Sequence, residues 1–139
     1  MIGAIVAKIK AKAAFKHFNN RDIKAFLSNW KKDVVFTYPG KTKASGTFEG
    51  KQVVEKWFLS MFEQFPQFTF VVKNIYVKNI FDLVGTNTIV VEWDVDLENK
   101  KGEKFHNAGL TVIKIRFAKI LSAQDYIFDT GQKFHEGWI

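Results

Sequence analysis

The pattern of apolar and polar positions divides the chain in two. Up to about residue 66 the apolar residues recur mostly at helical spacing. Beyond that point they alternate, or run together, in the manner of β-strands. The spacing predicts a first helix from about Gly3 to Phe18, with Lys8, Lys12 and Lys16 on one face. Opposite them lie Ile2, Ile5, Val6, Ile9 and Ala13, so the isoleucine face is expected to be the packed one. Asn19-Asn20 interrupt this helix, and Asn20 suits the N-cap of a second, Asp22 to Trp30. Val34 to Tyr38 reads as a short strand stopped by Pro39-Gly40, and Lys41 to Gly46 reads as a loop. A third helix opens at Gly50. Its apolar residues Val53, Val54, Trp57, Phe58, Met61, Phe62 and Phe65 keep helical spacing until Pro66 ends it.

The second half predicts four strands. Phe68 to Leu83 is a long β-type segment with a bend or bulge near Asn79, and Thr88 to Leu97 follows. Asn99 to Gly102 is a hairpin turn, Lys104 to Phe117 the next strand, and a tight turn near Ala118-Lys119 leads into Ile120 to Asp129. Residues 131–139 form a tail ending in Trp138-Ile139, which is expected to close a pocket mouth or clasp a partner. Helices followed by a run of antiparallel strands point to one α+β domain over residues 1–139, with a core over about 12–130. A sheet this long must curl. The expected architecture is a curved, mostly antiparallel sheet wrapped around three helices from the N-terminal half, forming a cone with an internal pocket.

Strand alternation leaves one decision open. On Thr88 to Leu97 one face carries Val90, Glu92, Asp94 and Asp96, and the other Ile89, Val91, Trp93 and Val95. Either the acidic face is wet and the Trp93 face is core, or the acidic face lines the cavity and the Trp93 face needs another cover, most simply a second subunit. The two differ by a register shift of one residue. On the last strand Leu121, Ala123, Asp125, Ile127 and Asp129 share a face.

Composition narrows the chemistry. The 139 residues are 47% hydrophobic and 16% aromatic, with fifteen Phe and four Trp, which excludes a disordered chain and suits an apolar pocket. There is no Cys, so disulfides, thiolate metal sites and Cys nucleophiles are excluded and a reducing compartment is compatible. The apolar start, Ile2 to Ala7, is too short for a secretory core or a membrane span, so a cytoplasmic location with no membrane partner is expected. The net charge of +7 is local: residues 1–60 hold twelve Lys/Arg and four Asp/Glu, the remainder nine and ten. A basic half can attract nucleic acid or anionic lipid, but the four-residue lysine spacing favours an ordinary solvated helix face. RNA-binding signatures and a P-loop are absent, and His17, His106 and His135 lack ligand spacing, so no metal and no cofactor are expected.

Two stretches carry a family resemblance. Phe18-Asn19-Asn20-Arg21-Asp22 with Phe36-Thr37-Tyr38-Pro39, and Gly46 to Lys51 leading into an aromatic helix, resemble the start of SnoaL-like proteins of the nuclear transport factor 2-like superfamily. The ending, with Asp125-Tyr126 and Asp129, is similar to that family's last strand. The resemblance implies the cone-shaped fold and a pocket for a small apolar molecule. Ketosteroid isomerases of this superfamily place a general-base Asp just before the Pro of the first strand, where this chain has Tyr38. Limonene epoxide hydrolases use an Arg and an Asp on the second long strand and an Asp on the last, positions that look like Glu92, Asp94 and Asp125. Polyketide cyclases use a pocket Asp, a role open to Asp94 or Asp125.

The resemblance therefore implies that Glu92, Asp94 and Asp125 meet inside. Asp125 would then be the base, Asp94 the acid, and Tyr38 a hydrogen-bond donor to a substrate oxygen. Trp30, Trp57, Phe58, Met61, His106, Val90, Ala123 and Ile127 are the candidate ligand contacts. The expected function is an isomerase, cyclase or hydrolase working by carboxylate acid–base catalysis on a small apolar molecule. A non-catalytic ligand- or protein-binding module of the same fold is the alternative, and a homodimer through the outer sheet face is expected.

Overall fold

The computed structural model describes residues 2–128, 137 and 138. In chain order the elements are α1 (Ile2–Asn19), α2 (Ile23–Phe26), β1 (Trp30–Tyr38), β2 (Gly46–Glu49), α3 (Lys51–Gln64), β3 (Gln67–Val77), β4 (Asn87–Glu98), β5 (Lys104–Arg116) and β6 (Lys119–Ile127). The strands form one curved six-stranded sheet in the order β2-β1-β6-β5-β4-β3. β1 and β6 run parallel and every other pair is antiparallel. The expected α+β architecture is the observed one. Among the described residues no helix is long and apolar enough to cross a membrane.

Local chemistry sets the element ends. Asp22, not Asn20, caps α2: its carboxylate accepts from the Ala25 amide, and the helix stops after one turn. The reason is the next strand. Trp30 already pairs with Ile120, so β1 begins four residues earlier than its apolar run suggests. Gly50, at φ 95°, turns the chain from β2 into α3 while its amide donates to the Val34 carbonyl. β3 gives way after Val77 to a loop over residues 79–86, where the Asp82 carboxylate accepts from the Val84 and Thr86 amides. The expected break near Asn79 is thus the end of a strand. The bulge itself lies between Val72 and Asn74.

The core is aromatic and centred on Phe18, whose ring packs within 4.7–5.4 Å of Phe26, Phe58, Phe62, Phe68 and Phe70. Asn19 ties the end of α1 to the sheet by exchanging two hydrogen bonds with the Phe70 backbone. The N-terminal half of α1 packs differently from expectation. Its buried residues are Ala4 and Ala11, and Ile2, Ile5, Val6 and Ile9 are exposed. Close approach explains the choice: a Cβ on Gly3 would collide with the Asp82 carbonyl, so only the small-residue face fits against the 79–86 loop.

Candidate functional site

A cavity of about 600 Å³ fills the concave side of the sheet, closed over by the helices. Its lining is mostly apolar and aromatic. β4 decides the register question: Ile89, Val91, Trp93 and Val95 are buried, and Trp93 lines the cavity. Glu92 and Asp94 lie on the outer face. Glu92 accepts from the Asn74 amide, and Asp94 sits 3.5 Å from the Lys73 ammonium. The expected cluster of three carboxylates therefore does not form. Val90 shares the outer face, and His106 is exposed there with its Nδ1 2.8 Å from Asp96. Because Trp93 faces the protein's own cavity, that face needs no second subunit to cover it.

Asp125 does point inward. On β6, Ala123, Asp125 and Ile127 all line the cavity, and from the helical side and β1 so do Trp30, Trp57, Phe58, Met61 and Tyr38. A shift in the β5–β6 ladder separates Asp125 from the other two acids. The ladder begins with Arg116 opposite Lys119 and Ile115 opposite Ile120, then slips by one residue before Lys114. Without that slip Asp125 would face Leu110, which is paired with Glu92 on the outer side. With it, Asp125 faces Thr111, which is paired with inward Val91.

Thr111 is the residue that sequence reasoning missed. Its hydroxyl donates to Asp125 Oδ1 at 2.6 Å and accepts from the Trp93 indole N–H at 2.9 Å. Trp93, Thr111 and Asp125 thus form a directed chain across three adjacent strands, with the carboxylate as the final acceptor. Asn107 adds a buried amide to the same lining. The alternation of β5 around Thr111 was a visible signal, but the residue opposite Asp125 could be named only with the slip known.

Asp125 keeps some accessible surface although protein encloses it on all sides, because that surface faces the cavity. Burial pushes its carboxyl up to about 7, against the opposing hydrogen bond from Thr111. Tyr38 comes beside it through the parallel β1–β6 ladder, in which Thr37 faces Gln124. Burial holds the Tyr38 phenol protonated, well above its ordinary value. The hydrogen bond from Trp138 opposes this, and the charge of Asp125 reinforces it. One enclosed carboxyl poised near neutrality therefore lies beside one firmly protonated phenol.

The tail supplies the far wall. Trp138 Nε1 donates to the Tyr38 hydroxyl at 3.2 Å, and its ring packs on Phe65 and Trp57. The Gln64 amide fixes the adjacent Gly137 carbonyl at 3.0 Å. Asp129, His135 and Ile139 lie outside the described residues. Among the described residues no group of three or more His, Asp and Glu could hold a metal ion.

Known structures share this fold. Bal32a, from a soil-derived mobile gene cassette, superposes with a TM-score of 0.82 at 14% identity, covering 95% of each chain. TerC, co-crystallised with polyporic acid, gives 0.75 at 21% identity over 91% of this chain and 93% of its own. A putative isomerase from Bacillus subtilis gives 0.75 at 20% identity over 100% and 98%. At such identities the likeness shows the fold. No curated protein matches the chain. The model of the SnoaL-like domain matches residues 11–123, most of the chain, from the lysine-bearing helix to the strand that carries Asp125. The chain belongs to the SnoaL-like family.

Proposed function

We propose that the protein catalyses a cofactor-independent proton transfer on a small apolar carbonyl compound, an isomerisation or cyclisation, with Asp125 as the proton-carrying group. The observation that carries this reading is the Asp125 carboxyl, enclosed in a mostly apolar cavity and pushed up to about 7, while Asp82 at the mouth is bound to backbone amides. Near pH 7 such a group is about half ionised. It is then a much stronger base than a solvated aspartate and still able to return its proton.

The loss of Asp94 from the cavity narrows the choice of reaction. Epoxide hydrolysis by the expected scheme needs a second acid beside the base, and Asp94 is on the other side of the sheet. Abstraction and return of one proton needs one group only. The Asp125 carboxylate would take a proton from the carbon next to the substrate carbonyl, and the C–H electron pair would move toward the carbonyl oxygen. The protonated Tyr38 phenol, and with it the Asn107 amide, would stabilise the charge gathering on that oxygen. In an isomerisation Asp125 would then deliver the proton to another carbon of the conjugated enolate. In a cyclisation the enolate carbon would attack a second carbonyl, and Asp125 would deliver the proton to the oxygen that gains the charge. Trp93 and Thr111 are positioning residues: they hold Oδ1 as an acceptor and leave Oδ2 to carry the proton.

The family includes isomerase-like and polyketide-modifying relatives, and TerC was co-crystallised with polyporic acid, which supports a small organic ligand. The test is deuterium exchange, followed by NMR, at activated C–H positions of a panel of apolar cyclic ketones in heavy water. The expected result is exchange that rises with pH through about 7 and is lost in Asp125→Asn. Ligands that quench the cavity tryptophans equally in wild type and Asp125→Asn, with no exchange in either, would replace the enzyme by a carrier of the same molecules.

A further inference from the structure

Residues that line the cavity and are also exposed mark its opening. Ile2, Val6, Lys10 and Ala13 on α1 do so, as do Ser28 and Asn29 ahead of β1, Leu83 in the 79–86 loop and Ala118 in the β5–β6 turn; α1, that loop and that turn make its apolar side. These three segments meet: the Gly3 backbone abuts Asp82, and the Ala118 amide donates to the Gly85 carbonyl. The opposite end of the cavity is walled by Phe65, Leu97, Phe105 and Trp138, none of them exposed.

The rim of this mouth is apolar where a soluble surface should be polar. Ile2 is 77% exposed, Phe81 72% and Leu83 87%, with Ile5, Ile9, Val84 and Phe117 also more than half exposed. Ile5 and Ile9 form the stripe of α1 that faces away from the protein, next to Ile2 at the mouth. Residues 2–12 of α1, and the loop and the turn with their flanking residues, carry Lys8, Lys10, Lys12, Lys78, Arg116 and Lys119, all exposed, and the single acid among them, Asp82, is buried and spent on backbone amides.

We infer that this apolar, cationic rim docks on an anionic phospholipid bilayer, with the cavity mouth facing the lipid. Charge selects this occupant. A second copy meeting rim to rim would set six cations against six across an apolar contact, which is self-repelling. Nucleic acid would answer the charge and leave the aliphatic and phenyl groups uncovered. An anionic lipid surface answers both, since headgroups meet the lysines while the isoleucines and Leu83 enter the boundary below them. The expectation of no membrane partner is revised for the surface, not for a span. Delivery of the cavity's ligand from the bilayer rests on the function proposed above; the docking does not.

The test is co-sedimentation of the full chain with vesicles of phosphatidylcholine containing roughly 30 mol% phosphatidylglycerol, an anionic content chosen to give a negative surface potential. The expected result is binding at low salt that weakens as salt is raised, and that is at least about tenfold weaker on pure phosphatidylcholine. Leu83→Glu with Ile5→Glu, at exposed sites that leave the core intact, should weaken binding about tenfold or more. Absence of binding to anionic vesicles at low salt would overturn the inference, and so would binding that the two glutamates leave unchanged. Light scattering that shows a dimer split by the same substitutions would overturn it in favour of a second copy. Vesicle binding needs no turnover, so its failure leaves the proton-transfer reading standing, and the failure of deuterium exchange leaves the docking standing.

Discussion

Removing the charge of Asp125 should make the protein more stable above neutrality, and by an amount that follows from its surroundings. The carboxyl ionises near its ordinary value of 3.8 when the chain is unfolded and at about 7 when folded. Between those values the native state holds a proton that the unfolded state has released. Stability therefore falls as pH rises through this window, and the full cost remains above it. The difference, about three units at ~1.4 kcal/mol each, amounts to ~4 kcal/mol. Asp125→Asn keeps the shape and leaves the Thr111 hydroxyl an oxygen to donate to, but cannot ionise. Urea unfolding of both proteins at a series of pH values isolates this one group, because every other titration is common to the two. The expected gap is small near pH 4, widens through pH 5 and 6, and levels off near pH 8 at a few kcal/mol, or roughly 10 °C in Tm. A pH-independent gap, or a wild type more stable than the variant at pH 8, would mean that Asp125 is solvated, and the proton-transfer proposal would fall with it.

Thr111→Val removes the donor that stabilises the ionised Asp125, so the inflection in the exchange profile should move upward by about one unit or more while the protein stays folded. Tyr38→Phe should leave ligand affinity nearly unchanged and lower the exchange rate about a hundredfold, measured as kcat against KM, because its hydroxyl acts on charge that develops in the reaction. Asp94→Asn and Glu92→Gln, on the outer face, should change exchange rate and stability little, within about 0.5 kcal/mol by urea unfolding. A large loss of activity in either would place the acidic face inside. Gly109→Ala should destabilise by about 1–3 kcal/mol, since its Cβ would press into the Trp93 ring and the Tyr126 carbonyl; an unchanged Tm would contradict that packing.

How much of this was legible in the sequence depended on whether a property is local or accumulates along a ladder. Element types follow from local periodicity, and they were readable: the Trp57–Phe58–Met61 stripe of α3, the Pro66 stop and the Asn99 to Gly102 hairpin turn stand where the pattern puts them. On β6 the pattern placed Ala123, Asp125 and Ile127 on one face; the family resemblance, not the pattern, turned that face inward, where the three line the cavity. Sidedness between strands is different, because it is carried by register, and one extra residue inverts it. The slip between Lys114 and Ile115 lies in a run, Thr111 to Arg116, with no glycine or proline to announce it. Family likeness had grouped Glu92, Asp94 and Asp125 on one face, as uninterrupted pairing from the Phe117-Ala118 turn would have done.

The same distinction explains α1. Its isoleucine and alanine faces are both apolar, so helical periodicity alone cannot say which is packed. What decides is the space beneath it, where Gly3 meets the Asp82 carbonyl and only small residues fit. A helix that needed merely to cover a cavity would have no reason to keep isoleucine on its outer side, where each exposed side chain costs solubility and returns no packing. Here the stripe is exposed along with Leu83 and Phe117 of the segments around the opening, and the exposed charges on those segments are all positive. The two features that local pattern could not assign, the buried acid and the outward isoleucines, stand at the wall and the mouth of one cavity. A carboxyl raised by an apolar wall and an entrance built to touch lipid call for the same kind of ligand: an apolar molecule that arrives without passing through water.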